Sequence, residues 1–207
     1  LSHPAPGQAN PLQSRPIEFV GSFPDPLVKL EPPLPEIAFV GRSNVGKSSL
    51  LNALVDRPGL ARVSGTPGKT TLLNFYRLPE LYLVDLPGYG FARAGKSART
   101  GYQRLMNGYL RGRGTLAGIV WLLDIRHSPS KEDREMQELL IQSGRPVLAT
   151  FTKTDKLTRS ALAEQSRQLA GLLELEPEQI QLTSSRSGLG IAELAGSILA
   201  AVGERSA

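Results

Sequence analysis

The sequence predicts one α/β domain built on a mostly parallel sheet, and three observations carry that prediction. Short apolar runs alternate with segments of helical spacing from about residue 36 onward. The first of those runs passes straight into a glycine-rich loop that opens a helix. No composition shift and no internal repeat divides the 207 residues, so a single domain accounts for the chain.

Taken in order, the elements begin after a proline-dense start. Pro4, Pro6, Pro11, Pro16, Pro24, Pro26, Pro32, Pro33 and Pro35 block helices and central strands there. Residues 1–16 are read as a disordered tail and 17–207 as the domain, with Ile17 to Val20 a candidate edge strand. Ile37 to Val40 is the first core strand, and a helix over 47–56 follows. Leu72 to Leu78 and Leu81 to Val84 form a hairpin turning at Pro79-Glu80, which makes one strand antiparallel. Strands Gly118 to Leu123, Val147 to Phe151 and Ile180 to Leu182 then alternate with helices over 97–110, 130–142, 158–174 and 189–202. The sum is a six-stranded, mostly parallel sheet with helices on both faces.

Composition closes several functional classes. With no cysteine, disulfides, thiolate zinc sites and thiol catalysis are excluded, and two isolated histidines, His3 and His127, do not make a metal site. The apolar stretch Leu116 to Leu123 is far shorter than the roughly 18 to 20 residues that span a bilayer. The first residues lack the basic-then-apolar order of a secretory signal, so the expected compartment is the cytoplasm.

The chemistry starts at Gly41-Arg42-Ser43-Asn44-Val45-Gly46-Lys47-Ser48, a full match to G-x-x-x-x-G-K-S/T. Its glycines let successive N–H groups point at phosphate oxygens, and the helix that follows adds its positive end. Lys47 would neutralise β- and γ-phosphates, Ser48 would ligate Mg²⁺, and Ser49 extends the contact. At the end of the next core strand, Asp85-Leu86-Pro87-Gly88 places a carboxylate to hold Mg²⁺ through water and a glycine N–H to sense a γ-phosphate. Thr152-Lys153-Thr154-Asp155 follows a later strand, and a carboxylate there accepts two hydrogen bonds from guanine N1 and N2. After the last strand, Thr183-Ser184-Ser185-Arg186 offers a backbone N–H to guanine O6, although a serine pair alone also reads as a helix cap. Four such loops in this order, each at a strand end, imply a P-loop NTPase of the GTPase type.

The sequence resembles the translation-factor-related GTPases and, more closely, the EngB (YihA) family of bacterial ribosome-assembly GTP-binding proteins, within the TrmE-Era-EngA-EngB-septin-like superfamily. The likeness spans about residues 17 to 200, and its most specific pieces run from Glu36 to Leu50, from Asp85 to Gly90, from Asp124 to His127 and from Thr152 to Asp155. Thr66-Pro67-Gly68-Lys69-Thr70 is similar to the family's switch I, usually Thr-Pro-Gly-Arg-Thr-Gln. Here Lys69 replaces the arginine and Thr71 the glutamine. The resemblance implies nucleotide contacts from Gly68, Lys69, Thr70, Thr71 and Leu72. Thr70 is taken over Thr71 as the second Mg²⁺ ligand, on alignment. Lys47, Thr70 and Gly88 then carry catalysis. It further implies slow GTP hydrolysis, a part in assembling the large ribosomal subunit on its rRNA, and a need in cell division and septation.

Three features leave alternatives open. Tyr89 stands where many switch GTPases carry a water-orienting glutamine, so a low unaided rate is expected; packing of Tyr89 and Phe91 on the surface is favoured over direct catalysis. Asn44 either helps hold K⁺ beside the phosphates or caps its own loop. Between Leu86 and Leu123 no acidic residue occurs, whereas Arg93, Lys96, Arg99, Arg104, Arg111 and Arg113 alternate with Tyr89, Phe91, Tyr102 and Tyr109. RNA contact is favoured over a solvated basic face, in keeping with a net charge of +5. The leading function is thus a GTPase acting as an assembly timer, read as a monomer. The rival is a nucleotide-gated interaction module in division or signalling without RNA contact.

Overall fold

The computed structural model describes residues 9–61, 72–90 and 96–206. In chain order the elements are β1 (Glu18–Phe23), β2 (Glu36–Gly41), α1 (Lys47–Val55), β3 (Leu73–Arg77), β4 (Tyr82–Asp85), α2 (Lys96–Gly112), β5 (Leu116–Asp124), α3 (Lys131–Ser143), β6 (Val147–Thr152), α4 (Arg159–Leu172), β7 (Ile180–Leu182) and α5 (Ile191–Ser206). The sheet order is β1-β3-β4-β2-β5-β6-β7. Strands β4, β2, β5, β6 and β7 pair in parallel, and β3 runs antiparallel to both of its neighbours. The seventh strand is the candidate edge strand, which pairs with β3 across a bulge between Phe19 and Gly21. The hairpin turns where expected, with Leu78 N–H donating to the Leu81 carbonyl at 2.9 Å.

Period-two alternation sorts β2 between two cores. Ala38 and Val40 join the core that holds Met106 and Tyr109 of α2 and Met136 of α3; Ile37 and Phe39 join the one that holds Leu50 and Leu54 of α1 and Leu194 and Ile198 of α5. Both faces are therefore covered, and ligands can reach the sheet only at its strand ends.

Residues 9–16 depart from the expectation of a disordered tail. Leu12 is fully buried in the core that contains α1 and α5. Asn10 Nδ2 donates to the Leu54 carbonyl at 2.7 Å, supplying a partner for the end of α1, and Arg15 pairs with Glu80. One buried leucine and a carbonyl that needed a donor hold this stretch despite its prolines. Residues 1–8 lie outside the described residues.

Glu36, the first residue of β2, is buried with a full set of partners. Arg113 bridges it at 2.7 Å, and Tyr109 donates its hydroxyl at 2.8 Å. Arg113 also lies over the Phe75 ring, 5.4 Å from its centroid.

Candidate functional site

The ends of β2, β4, β6 and β7 bring the sequence-predicted loops together. The loop 41–46 joins β2 to α1 and is packed so tightly that a Cβ on Gly41 would lie 2.9 Å from the Leu122 carbonyl. Gly46, with φ at 109°, turns the chain into α1, which has no side-chain cap and no acidic residue in its first turn. Its first-turn N–H groups and its positive end are thus set toward an anion. Lys47 pairs with Asp85 at the end of β4, and Asn74 Nδ2 reaches the other Asp85 oxygen at 3.5 Å.

On the opposite side the loops of β6 and β7 are cross-linked. Thr152 Oγ1 donates to the Val45 carbonyl at 2.7 Å, and Lys153 Nζ donates to the Asn44 carbonyl at 2.7 Å while pairing with Asp124 at 2.9 Å. Burial pushes the Asp124 carboxyl up, but hydrogen bonds from Arg126 and Lys153 outweigh it and hold the group well below the usual carboxylate range. Thr154 Oγ1 donates to the Thr183 carbonyl at 3.0 Å, which locks the two loops in register.

Asp155 on this rim is held from the neighbouring loop. The fully buried Ser184 donates its hydroxyl to Asp155 Oδ1 at 2.7 Å, and that bond is the main reason the carboxyl is held below its ordinary value. Ser184 Oγ also accepts from the Arg186 and Ser187 N–H groups, and Ser184 N–H donates to the Leu189 carbonyl. Of the three candidate donors in Ser184-Ser185-Arg186, Ser185 N–H is, among the described residues, the one with no internal acceptor.

Several expectations change. Tyr89 is 5% exposed and packs inside the protein, not on its surface. Tyr109 is fully buried and Arg113 is spent on Glu36, so neither is available to RNA. Arg99, Arg104 and Arg111 do lie exposed on α2, with Gln142 accepting from Arg111. The switch I candidates Thr66, Gly68, Lys69, Thr70 and Thr71, together with Phe91 and Arg93, lie outside the described residues. A cavity of about 420 Å³ opens beside the phosphate loop, lined by Arg42, Asn44, Asp124, Arg126, His127 and Lys153 among others. It excludes Lys47, Ser48 and Asp155, so it adjoins the phosphate cradle without being it.

Residues 36–153 match the family model described as 50S ribosome-binding GTPase. The EngB GTP-binding protein of Syntrophus aciditrophicus is 44% identical over 189 residues, covering 91% of this chain and 96% of that one. The chain belongs to the EngB family of GTP-binding proteins. EngB of Bacillus subtilis is 44% identical over 167 residues, covering 80% of this chain and 86% of its own. A solved EngB structure superposes with a TM-score of 0.68 at 22% identity, over 82% of this chain and 99% of that one. Era in complex with MgGDPNP and nucleotides 1506–1542 of 16S ribosomal RNA gives 0.64 at 24% identity, over 82% and 57%. Those two superpositions speak to the fold, a P-loop GTPase domain, and family membership makes this chain a GTPase. Among the described residues no helix is long and apolar enough to cross a membrane.

Proposed function

We propose that this chain uses GTP binding and slow hydrolysis to time its association with a precursor of the large ribosomal subunit, in the cytoplasm, as a monomer needed for normal division and septation. The observation that supports it is the exposure of Arg99, Arg104 and Arg111 on α2, the helix that follows the γ-phosphate-sensing loop. No acidic residue from Leu86 to Leu123 offsets that charge.

Within the site, Lys47 leaves Asp85 for the β- and γ-phosphates, the N–H groups of 44 and 46–48 wrap the phosphates while Ser43 and Val45 N–H stay bonded to the Tyr89 and Arg42 carbonyls, and Gly88 N–H meets the γ-phosphate. Asp155 selects guanine, with Ser184 fixing its orientation and Ser185 N–H directed to O6. Mg²⁺ fits the donor chemistry here, a hydroxyl at Ser48 and a carboxylate at Asp85, both hard oxygen donors, and it would take its remaining ligands from phosphate and water. Ser48, Thr70 and, through water, Asp85 would hold it, and it would neutralise charge on the transferred phosphoryl group. Asn44 is exposed with φ at 65° and its carbonyl committed to Lys153, which leaves its side chain as a K⁺ ligand candidate.

Co-sedimentation with large ribosomal subunits tests the proposal. Association should be strong with a non-hydrolysable GTP analogue and weak with GDP. Reversing Arg99, Arg104 and Arg111 to Glu should flatten the salt dependence by about 2 in log-log slope at ~0.7 per phosphate contact, with GTP affinity unchanged. Equal association with both nucleotides contradicts the timer. The module without RNA contact gains from the inward turn of Tyr89 and Tyr109, and an unchanged salt slope in the triple variant would favour it.

A further inference from the structure

Tyr89 is fixed from every side. Its hydroxyl donates to Asp133 Oδ1 at 2.8 Å and accepts from Trp121 Nε1 at 2.9 Å. Asp133, near the start of α3, is itself held, its Oδ2 accepting from Ser130 N–H at 2.8 Å and from Ser130 Oγ at 2.7 Å. The Tyr89 main chain is tied to the phosphate loop, with its N–H donating to the Gly41 carbonyl at 3.3 Å and its carbonyl accepting from Ser43 N–H at 3.1 Å. Gly88 is thereby pressed on that loop: an added Cβ would lie 3.2 Å from Ser43 N and 3.3 Å from the Gly41 carbonyl. Burial, and then the Asp133 charge, raise the Tyr89 phenol well above its ordinary value, so it remains a proton donor.

We propose that Tyr89 is a positioning residue for the GTPase reaction: anchored through its hydroxyl to Asp133 on α3, it pre-sets Gly88 N–H against the phosphate loop, ready for a γ-phosphate. The inference rests on the reading of Gly88 as the γ-phosphate sensor. A segment containing Gly88 and Gly90, the latter with φ at 89°, would otherwise lose conformational freedom when the triphosphate binds. With the tyrosine anchored, that ordering is already done before binding. GDP has no group to meet Gly88, so the anchor strengthens GTP and leaves GDP alone. The hydroxyl is committed to Asp133 and Trp121, and so acts through Gly88 and not on the reacting atoms.

Tyr89→Phe keeps the ring and removes the hydroxyl. Calorimetric titration of the full chain should show the affinity for a non-hydrolysable GTP analogue falling about fivefold, the worth of one net hydrogen bond, with GDP affinity within twofold. Asp133→Ala should do the same. Ser130→Ala, which breaks the cap of α3 and leaves the Tyr89–Asp133 bond in place, should lower Tm without changing the ratio. Trp121 is the only tryptophan in the chain, so its emission reports the anchor directly. Exchange of GDP for the analogue should leave that emission unchanged, because the anchor stays closed in both states; a shift would show it opening and overturn the proposal. Equal losses for both nucleotides in Tyr89→Phe would make Tyr89 a packing residue and overturn it too. Gly88→Ala separates the two ideas. If it lowers the GTP-to-GDP affinity ratio while Tyr89→Phe does not, the anchor alone is wrong. If Gly88→Ala leaves the ratio unchanged, the sensor assignment fails and takes the anchor with it.

Discussion

Helices α1 and α3 both begin after a parallel strand, with the same positive end facing the same rim, yet their first turns are built oppositely. At α3, Ser130 and Asp133 form a reciprocal capping box, and Glu132 and Asp133 place carboxylates in the first turn. Glu132 is held below its ordinary carboxyl value chiefly by a backbone N–H there, with help from the Ser130 hydroxyl, so this end does attract anions. At α1, a glycine stands at the cap, no side chain closes it, and lysine comes first. One helix satisfies its end from its own sequence. The other has neither a side-chain cap nor a first-turn carboxylate, an arrangement that suits an anionic ligand.

Removing the lysine from the open end should produce the largest effect. Lys47→Ala should cost roughly 100-fold or more in GTP affinity, as expected for lost charge-assisted bonds to two phosphates, with the fold intact by circular dichroism. Making α1 resemble α3 is a sharper test. Ser49→Asp puts a carboxylate at the exposed third position of the first turn, so GTP affinity should fall about tenfold while the nucleotide-free protein gains up to about 1 kcal/mol. Opposite signs for binding and stability, read by calorimetry and thermal melts, are the signature to look for. The smallest effect lies at the closed end: Ser130→Ala should lower stability by about 1 kcal/mol, or roughly 2–4 °C in Tm, and leave GTP affinity within twofold.

How much of this was legible in the sequence follows from where each partner sits. The phosphate loop was readable because its contacts come from successive backbone groups, so the signal is contiguous. The hairpin and the strand alternation were readable because both are local periodicities. The Tyr89–Asp133 bond joins residues 44 positions apart, and the S-x-x-D spacing at Ser130 explains Asp133 as a helix cap without hinting at a second partner. The basic segment was visible as charge, but its orientation was not: Arg113, just past the end of α2, finds Glu36, 77 residues away, and turns inward, while Arg99 and Arg104 on that helix stay in water. The burial of Leu12 has no sequence signal, because one apolar residue among prolines and polar groups carries no periodicity. The Ser184 hydroxyl on Asp155 was hidden in the same way, since each loop alone has a bland explanation.

The central claim is that the rim between β6 and β7 reads guanine through Asp155 while the open end of α1 holds the phosphates. Titrating GTP, ATP and XTP into the wild-type chain and into Asp155→Asn tests it most directly. The wild type should bind GTP and not ATP, and the variant should lose about 100-fold for GTP, the cost of two hydrogen bonds to a charged group, while coming to prefer XTP, whose 2-oxo group accepts where guanine donates. An Asp155→Asn variant that keeps its preference for GTP over XTP would contradict the assignment.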